Sequence, residues 1–220
     1  MRKYKTALYV LMLVPFLMSA AAFGFLPERI PAHYGFDGIV TRYGSRWEVF
    51  IGPVLYSACG LFMILMGRFA KKQEPDGDNN EKVIIISGIV LMLLFNVLTV
   101  RSLFTAYRQA ENLYAEFDLI KVMFSLIGIA LIIIGNVMPK LKRNSIAGLR
   151  TKWSLSSEEA WRKSQRFGGI LFMITGFLLL LGNVWFFPRD WSLLLSSILF
   201  IISVLVSVVY SYCAARQRGR

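Results

Sequence analysis

The stretch from Gly135 to Arg166, GNVMPKLKRNSIAGLRTKWSLSSEEAWRKSQR, decides how the whole chain is arranged. It is polar and basic, and it lies between two runs so apolar that we interpret both as membrane spans. Eight of its residues are Lys or Arg: Lys140, Lys142, Arg143, Arg150, Lys152, Arg162, Lys163 and Arg166. Because short loops rich in Lys and Arg stay on the cytoplasmic side, this stretch is predicted to face the cytoplasm.

The second half of the stretch has the pattern of a helix start. Ser156 followed by Glu159 matches a capping box, in which the two side chains bind free backbone N–H groups of the first turn. Glu158 and Glu159 each precede a basic residue by four positions, a spacing that stabilises a helix through ion pairs. Trp153 and Trp161 lie where indole rings favour the lipid headgroup layer. We therefore predict a structured element lying against the membrane.

The composition predicts an all-α fold. The chain has 220 residues, of which 56% are hydrophobic, and its mean hydropathy is +0.56. A span takes about 20 apolar residues, so six spans need about 120 residues, over half of the chain. We therefore predict a polytopic membrane helical bundle with six transmembrane helices.

The net charge is also interpreted as that of a membrane protein. The net charge is +12 and the pI is near 10.0, which predicts basic loops that meet anionic membrane lipid. Outside the loops there is no basic stripe with interleaved aromatic residues, so no direct nucleic-acid partner is expected.

The spans and their orientation follow from the apolar runs and the basic residues between them. The runs are 6–26, 49–69, 83–104, 119–138, 167–187 and 191–212. With the N-terminus inside, the cytoplasmic segments hold eighteen Lys and Arg and the outer segments hold six. This bias predicts a multi-pass protein of a prokaryotic plasma membrane with both termini inside. The first run exceeds the roughly 7–15 residues of a signal-peptide core, so we favour a retained span over a cleaved signal.

Three regions are predicted along the chain. Residues 1–69 form an N-terminal two-span module with an ordered outer loop at 27–47. Residues 70–118 contain the third span and connectors, and no function is attached to the polar connector at 70–82. Residues 119–220 form a three-span region with a cytoplasmic loop at 139–166, called the central segment below.

The outer loop contains His33, the one histidine of the chain. One interpretation makes it a ligand or proton acceptor together with Glu28, Asp37 or Glu48. The other makes it a polar residue that forms hydrogen bonds within the loop, and we favour this one. A single histidine offers no partner at metal-binding spacing, so no metal site is expected.

The sequence gives little support for catalysis or for ion-coupled transport. Transporters usually place ionisable side chains at mid-membrane, but Arg101 and Lys121 fall near the predicted outer ends of their spans. The chain has no G-x-S-x-G, H-E-x-x-H or glycine-rich phosphate loop. We therefore predict no catalytic residue and no cofactor, and we interpret the two polar loops as recognition surfaces.

The first of two motif patches comprises Gly135-Asn136, Met138-Pro139-Lys140, Asn144, Gly148, Arg150-Thr151, Trp153-Ser154 and Glu159-x-Trp161. This patch resembles the signature of SdpI-type immunity proteins. The second resembles the N-terminal module that is often fused to this family, and comprises Leu26-Pro27, Ile30-Pro31, His33, Gly38 and Tyr43-Gly44.

The resemblance implies an immunity protein that protects its producer from a secreted membrane-active peptide toxin. It also implies a receptor role, in which the protein holds a small winged-helix repressor at the membrane. The residues implied in toxin or partner binding are Asn136, Asn144, Arg150, Thr151, Trp153, Ser154, Glu159 and Trp161, with Pro31, His33, Gly38, Tyr43 and Gly44 in the outer loop.

Other interpretations remain open at this stage. In the central segment, Arg150 and Glu159 could pair with each other while the indoles only anchor the loop. Rival functions are a membrane enzyme that uses His33 with an acidic neighbour, an exporter of a hydrophobic peptide, and a structural partner protein.

Overall fold

The computed structural model describes residues 1–35, 38–74, 77–112 and 118–216. Within them the chain forms six helices long and apolar enough to cross a membrane. They are α1 (Arg2–Phe23), α2 (Ile51–Lys71), α3 (Asn79–Arg108), α4 (Leu119–Val137), α5 (Glu158–Leu181) and α6 (Arg189–Arg216). At about 1.5 Å per residue, about 20 helical residues cross the hydrocarbon core. The predicted six-span helical membrane fold is confirmed.

The predicted outer loop contains a β-hairpin that the all-α prediction did not include. Strand β1 (Arg29–Tyr34) pairs with the antiparallel strand β2 (Val40–Ser45), and the pairing is irregular on both sides of His33. The strands are rich in β-branched and aromatic residues, which favour extended backbone. Gly38, in the turn, has a φ of 77°, which glycine adopts at little cost. Asp37, one of the candidate partners of His33, lies outside the described residues.

The chain divides into two compact units, and both α2 and α3 contribute to each of them. The hairpin unit comprises Arg2–Met63 and Gly88–Leu119, and the C-terminal unit comprises Met1, Ile64–Ser87 and Ile120–Arg220. The division into 1–69, 70–118 and 119–220 stays a prediction.

In the hairpin unit, apolar side chains bury the base of the hairpin. Leu26, Ile30, Val49 and Ala106 form one buried cluster. The Tyr34 hydroxyl donates a hydrogen bond of 2.9 Å to the carbonyl oxygen of residue 110, just beyond the end of α3. These contacts fix the hairpin to the helices that carry it.

In the C-terminal unit, α4 and α5 approach closely at two pairs of glycines. A Cβ atom on Gly135 would lie 2.5 Å from the Gly169 carbonyl oxygen, and one on Gly128 would lie 2.5 Å from that of Gly176. Small residues let membrane helices come into backbone contact, where packing replaces the missing hydrophobic driving force. The four glycines are therefore close-packing positions between α4 and α5.

Polar side chains join α5 to α6. A π-helical turn (Gly182–Phe186) follows α5 and contains the buried Asn183. Its Nδ2 atom donates to Ser196 Oγ over 2.9 Å, and its Oδ1 atom accepts from Ser192 Oγ. Because the membrane interior offers no water, such groups need partners inside the protein.

Candidate functional site

The central segment is an ordered structure with short helical turns at both ends. A 3₁₀ turn (Met138–Lys140) follows α4, and another (Ser154–Ser156) precedes α5. Ser157 caps α5, because its Oγ atom accepts a hydrogen bond of 3.1 Å from the Ala160 N–H. The segment is therefore a structured element, as the sequence predicts.

The predicted capping box is wrong by one residue. The Ser156 hydroxyl donates to the Trp153 carbonyl oxygen over 2.6 Å and thereby closes the preceding turn. Its neighbour Ser157 is left to cap the helix, and the residue three positions after Ser157 is Ala160, which has no carboxylate to complete a box.

One of the two predicted ion pairs along α5 forms. Glu159 pairs with Lys163 at 2.8 Å. Glu158 was expected to pair with Arg162, but it binds Arg143 Nε at 2.9 Å, so that prediction is wrong. The alternative pairing of Arg150 with Glu159 is not found either, because the Glu159 carboxylate binds the lysine one turn further along its own helix.

Trp161 is a core residue, and the prediction that its indole lies in the headgroup layer is wrong. The side chain is 1% exposed and packs against Val83, Val137 and Met138. Its Nε1–H donates to the Leu141 carbonyl oxygen over 2.8 Å. A buried indole needs such an acceptor, and this bond fixes the start of the central segment to α5.

Trp153 is half-buried, and its ring contacts α6. The edge of the indole meets the Tyr212 ring at a centroid distance of 5.3 Å. The Lys152 ammonium lies 5.3 Å from the indole centroid, within cation–π range.

Asn144 shapes the turn at the middle of the segment. Its Oδ1 atom accepts from the backbone N–H groups of Ile146 and Ala147 at 2.7 and 2.8 Å. Its Nδ2 atom donates to the Lys142 carbonyl oxygen over 2.8 Å. Asparagine side chains often replace backbone partners in this way.

Thr151 and Ser154 form a second turn. Each hydroxyl oxygen accepts the other residue's backbone N–H at 2.9 Å. The Ser154 hydroxyl donates to the Leu149 carbonyl oxygen over 2.7 Å, and Thr151 Oγ1 lies 2.8 Å from Ser211 Oγ on α6. Both residues hold the segment in shape.

Gln165 was not identified in the sequence, although it is central to the site. Its Oε1 atom accepts the Leu149 N–H at 2.9 Å, and its Nε2 atom donates to the Leu149 carbonyl oxygen at 3.0 Å. Gly148 precedes that residue with a φ of 102°, and a Cβ there would lie 2.6 Å from Gln165 Oε1. The available signal was an uncharged amide among basic residues, two positions before an apolar run.

The polar connector between α2 and α3 was assigned no function, yet it binds the central segment. The Gln73 amide forms two bonds with Ser145: Nε2 donates to Oγ at 2.9 Å, and Oε1 accepts the backbone N–H at 2.8 Å. Asn80 Oδ1 accepts the Lys142 N–H at 2.9 Å. The sequence holds no signal for this pairing, because the partners are over sixty residues apart.

The exposed part of the segment surrounds a cleft of about 610 Å³. Its lining mixes both signs of charge with the edge of the buried indole, and comprises Asn79, Pro139, Lys140, Leu141, Lys142, Glu158, Glu159, Trp161 and Arg162. Of the predicted residues, Asn136, Arg150 and Glu159 are exposed. The cleft can therefore accept a partner that carries both charged and apolar groups.

In the hairpin, His33 forms a hydrogen bond within its own sheet. Its Nδ1 atom lies 2.7 Å from Thr41 Oγ1 on the paired strand. Glu48, a candidate partner of His33, instead accepts two hydrogen bonds from the Arg42 guanidinium, at 3.0 and 2.8 Å. The geometry thus favours the interpretation of His33 as a residue bonded within the loop.

The other predicted residues of the outer loop lie around the Arg42–Glu48 pair. Gly44 leaves room for it, since a Cβ there would lie 2.5 Å from the Glu48 carboxyl carbon. The bonds to Glu48 raise the pKa of Arg42 above its usual range. Pro31 and Gly38 are buried, whereas Tyr43 is exposed. Among the residues that the structure describes, no group of three or more His, Cys, Asp and Glu could hold a metal ion.

Six apolar helices with an ordered basic segment before the fifth define a multi-pass helical membrane protein. Residues 140–211 match the model of the SdpI/YfhL protein family, and residues 10–56 match a domain of unknown function, DUF1648. The resemblance to SdpI-type proteins is thereby confirmed.

A relative matches over nearly its full length. The immunity protein SdpI of Bacillus subtilis (strain 168) is 26% identical over 203 residues, which cover 92% of this chain and 91% of that protein. No solved structure matches. Together with the six helices, this similarity identifies a multi-pass protein of the plasma membrane.

Proposed function

We propose that this protein is a membrane immunity protein that protects its producer against a secreted membrane-active peptide toxin. The observation that carries the proposal is the similarity to an immunity protein over 92% of the chain. The match extends through the hairpin and the central segment, so it includes both candidate recognition surfaces and is wider than either family region alone.

In this proposal both termini and the central segment face the cytoplasm, and the hairpin faces outward. The support is the excess of Lys and Arg in the segments assigned to the inside. The hairpin would then meet the toxin. It presents exposed aromatic side chains, Tyr43 and Trp47, along a groove of about 580 Å³ that also includes the Arg42–Glu48 pair.

The central segment is the proposed contact for a cytoplasmic winged-helix repressor. Asn144, Thr151, Ser154 and Trp161 form bonds inside the segment, so their role is to shape it. The exposed Arg150 and the charged lining of the cleft are the groups that would touch the partner.

The connector offers a route from helix movement to the central segment. Gln73 lies just beyond α2 and Asn80 lies in the first turn of α3, and both bind the segment's backbone. A small shift of either helix on toxin binding would pull on these bonds. The segment would then change between two packings, which is a population shift that needs no large motion.

Expression in a toxin-sensitive bacterial host tests the protective role. Cells that express the intact chain are challenged with candidate membrane-active peptides beside cells that carry an empty vector, and survival is counted. We expect survival with the intact chain only. If cells with confirmed membrane expression die like vector cells with every candidate peptide, the immunity role is refuted.

Recruitment of a fluorescent candidate repressor to the membrane tests the receptor role separately. We expect Arg150→Ala to reduce recruitment while protection is retained. Trp161→Ala removes a core residue and is expected to lower the amount of folded protein, so it serves as the control for damage to the segment. Full recruitment by Arg150→Ala together with Lys142→Ala would contradict the proposed contact.

A further inference from the structure

One exposed ridge of α5 changes from basic to apolar along its length. Arg162, Arg166, Ile170, Ile174 and Leu178 follow one another at intervals of four residues, and all of them are exposed. Side chains four residues apart form a continuous ridge on a helix. The three apolar members are 46%, 52% and 48% exposed, so the ridge presents guanidinium groups followed by hydrocarbon.

The basic end of the ridge borders a pocket of about 370 Å³. The pocket is lined by Pro139, Arg162, Lys163 and Arg166. A Cβ on Gly169 would lie 3.1 Å from the Pro139 Cδ atom, so the glycine lets the proline ring rest against α5 and close one wall. The result is a small concave site whose charged lining is entirely cationic.

The nearby carboxylates are directed elsewhere. Glu159 pairs with Lys163, and Glu158 pairs with Arg143. Among residues 1–35, 38–74, 77–112 and 118–216, no carboxylate forms an ion pair with Arg162 or Arg166. Two guanidinium groups of the pocket can therefore bind an anion from outside the protein.

The length of the ridge matches one leaflet of a membrane. From Arg166 to the exposed Leu178 there are twelve residues, or about 18 Å of helix at about 1.5 Å per residue. Half of a hydrocarbon core of about 30 Å is about 15 Å. A headgroup at Arg166 would thus place its acyl chain along Ile170, Ile174 and Leu178.

We propose that this ridge is a binding site for an anionic phospholipid. The phosphate is held in the pocket by Arg162 and Arg166, whose planar guanidinium groups match phosphate oxygens. One acyl chain lies along the apolar part of the ridge. The site is independent of the proposed immunity role, because it needs neither a toxin nor a repressor.

Lipid binding by the full-length protein in detergent micelles tests the site. Native mass spectrometry measures the retention of phosphatidylglycerol and of phosphatidylcholine with the same acyl chains, and inorganic phosphate serves as a competitor. The test variant is Arg162→Gln with Arg166→Gln. The matched control is Lys72→Gln with Lys152→Gln, which removes two exposed charges outside the pocket.

We expect the intact chain to prefer phosphatidylglycerol, and the double Arg variant to bind it roughly thirtyfold more weakly. The control pair should bind like the intact chain. The proposal is overturned if the intact chain shows no preference, if the control loses as much affinity, or if inorganic phosphate displaces the lipid at equal concentration. Should the double Gln variant aggregate, the single variants Arg162→Gln and Arg166→Gln replace it, and each must lose part of the preference for phosphatidylglycerol.

Discussion

The side-chain amide of Gln165 forms both of its hydrogen bonds with the backbone of one residue, Leu149. The side chain is fully buried, and the two residues lie sixteen positions apart. The pair therefore closes a loop of the central segment onto α5. It holds Arg150, the next residue, at the surface.

Replacement of Gln165 by Ala should destabilise the central segment. The Leu149 carbonyl oxygen keeps Ser154 as a donor, but the Leu149 N–H would lose its partner at a partly buried position, at a cost of up to about 1–3 kcal/mol. Thermal unfolding in detergent and limited proteolysis within 141–153 measure the effect. Arg150→Ala, which changes an exposed side chain of the same segment, should leave both nearly unchanged, and an equal loss there would contradict the assignment.

Alanine at Gly135 or Gly169 should separate α4 from α5. The added methyl group would lie 2.5 Å from a carbonyl oxygen of the opposite helix, and such overpacking costs about 1–3 kcal/mol. Thermal unfolding of each variant is compared with that of Gly24→Ala, where a Cβ meets nothing within 4 Å. Similar melting temperatures for all three variants would show that the close approach is unimportant.

Alanine at Gly44 should break the Arg42–Glu48 pair in the hairpin. The new Cβ would collide with the Glu48 carboxylate, which must then move away from the guanidinium. Unfolding temperatures of Gly44→Ala, Glu48→Ala and the double variant form a double-mutant cycle. We expect Gly44→Ala to be harmful alone and nearly neutral when Glu48 is already Ala; additive effects would contradict the steric account.

Alanine at Gln73 should uncouple the connector from the central segment. Both hydrogen bonds to Ser145 are lost, while the helices themselves are untouched. In the cell assays we expect protection to persist and toxin-dependent recruitment of the repressor to decrease. Lys72→Ala changes the exposed neighbouring residue and is the control, and a loss of recruitment in both variants would remove Gln73 from the route.

Cysteine labelling tests the proposed orientation. In a chain whose Cys59 and Cys213 are replaced by serine, a cysteine at Lys152 should react with a membrane-impermeant maleimide only after cell lysis, and one at Thr41 should react in intact cells. Both positions are exposed to reagent in the structure. The reverse pattern would invert the topology.

The sequence by itself determined the number and approximate limits of the spans. Hydropathy is a local property, and a helix must satisfy its backbone hydrogen bonds inside the membrane, so each apolar run has essentially one structure available. The structured nature of the central segment was likewise visible, since charge spacing along a helix depends on near neighbours only.

Only the tertiary structure decided which residues shape the central segment. Trp161 is buried because Val83 and Val137 cover it. Gln73 and Asn80 bind the segment because the fold brings the connector and the first turn of α3 alongside it. Ser157 caps α5 because Ser156 is already bonded to a turn. Each of these contacts depends on which of several possible side chains comes within hydrogen-bonding distance. The packing of distant parts of the chain determines which one does.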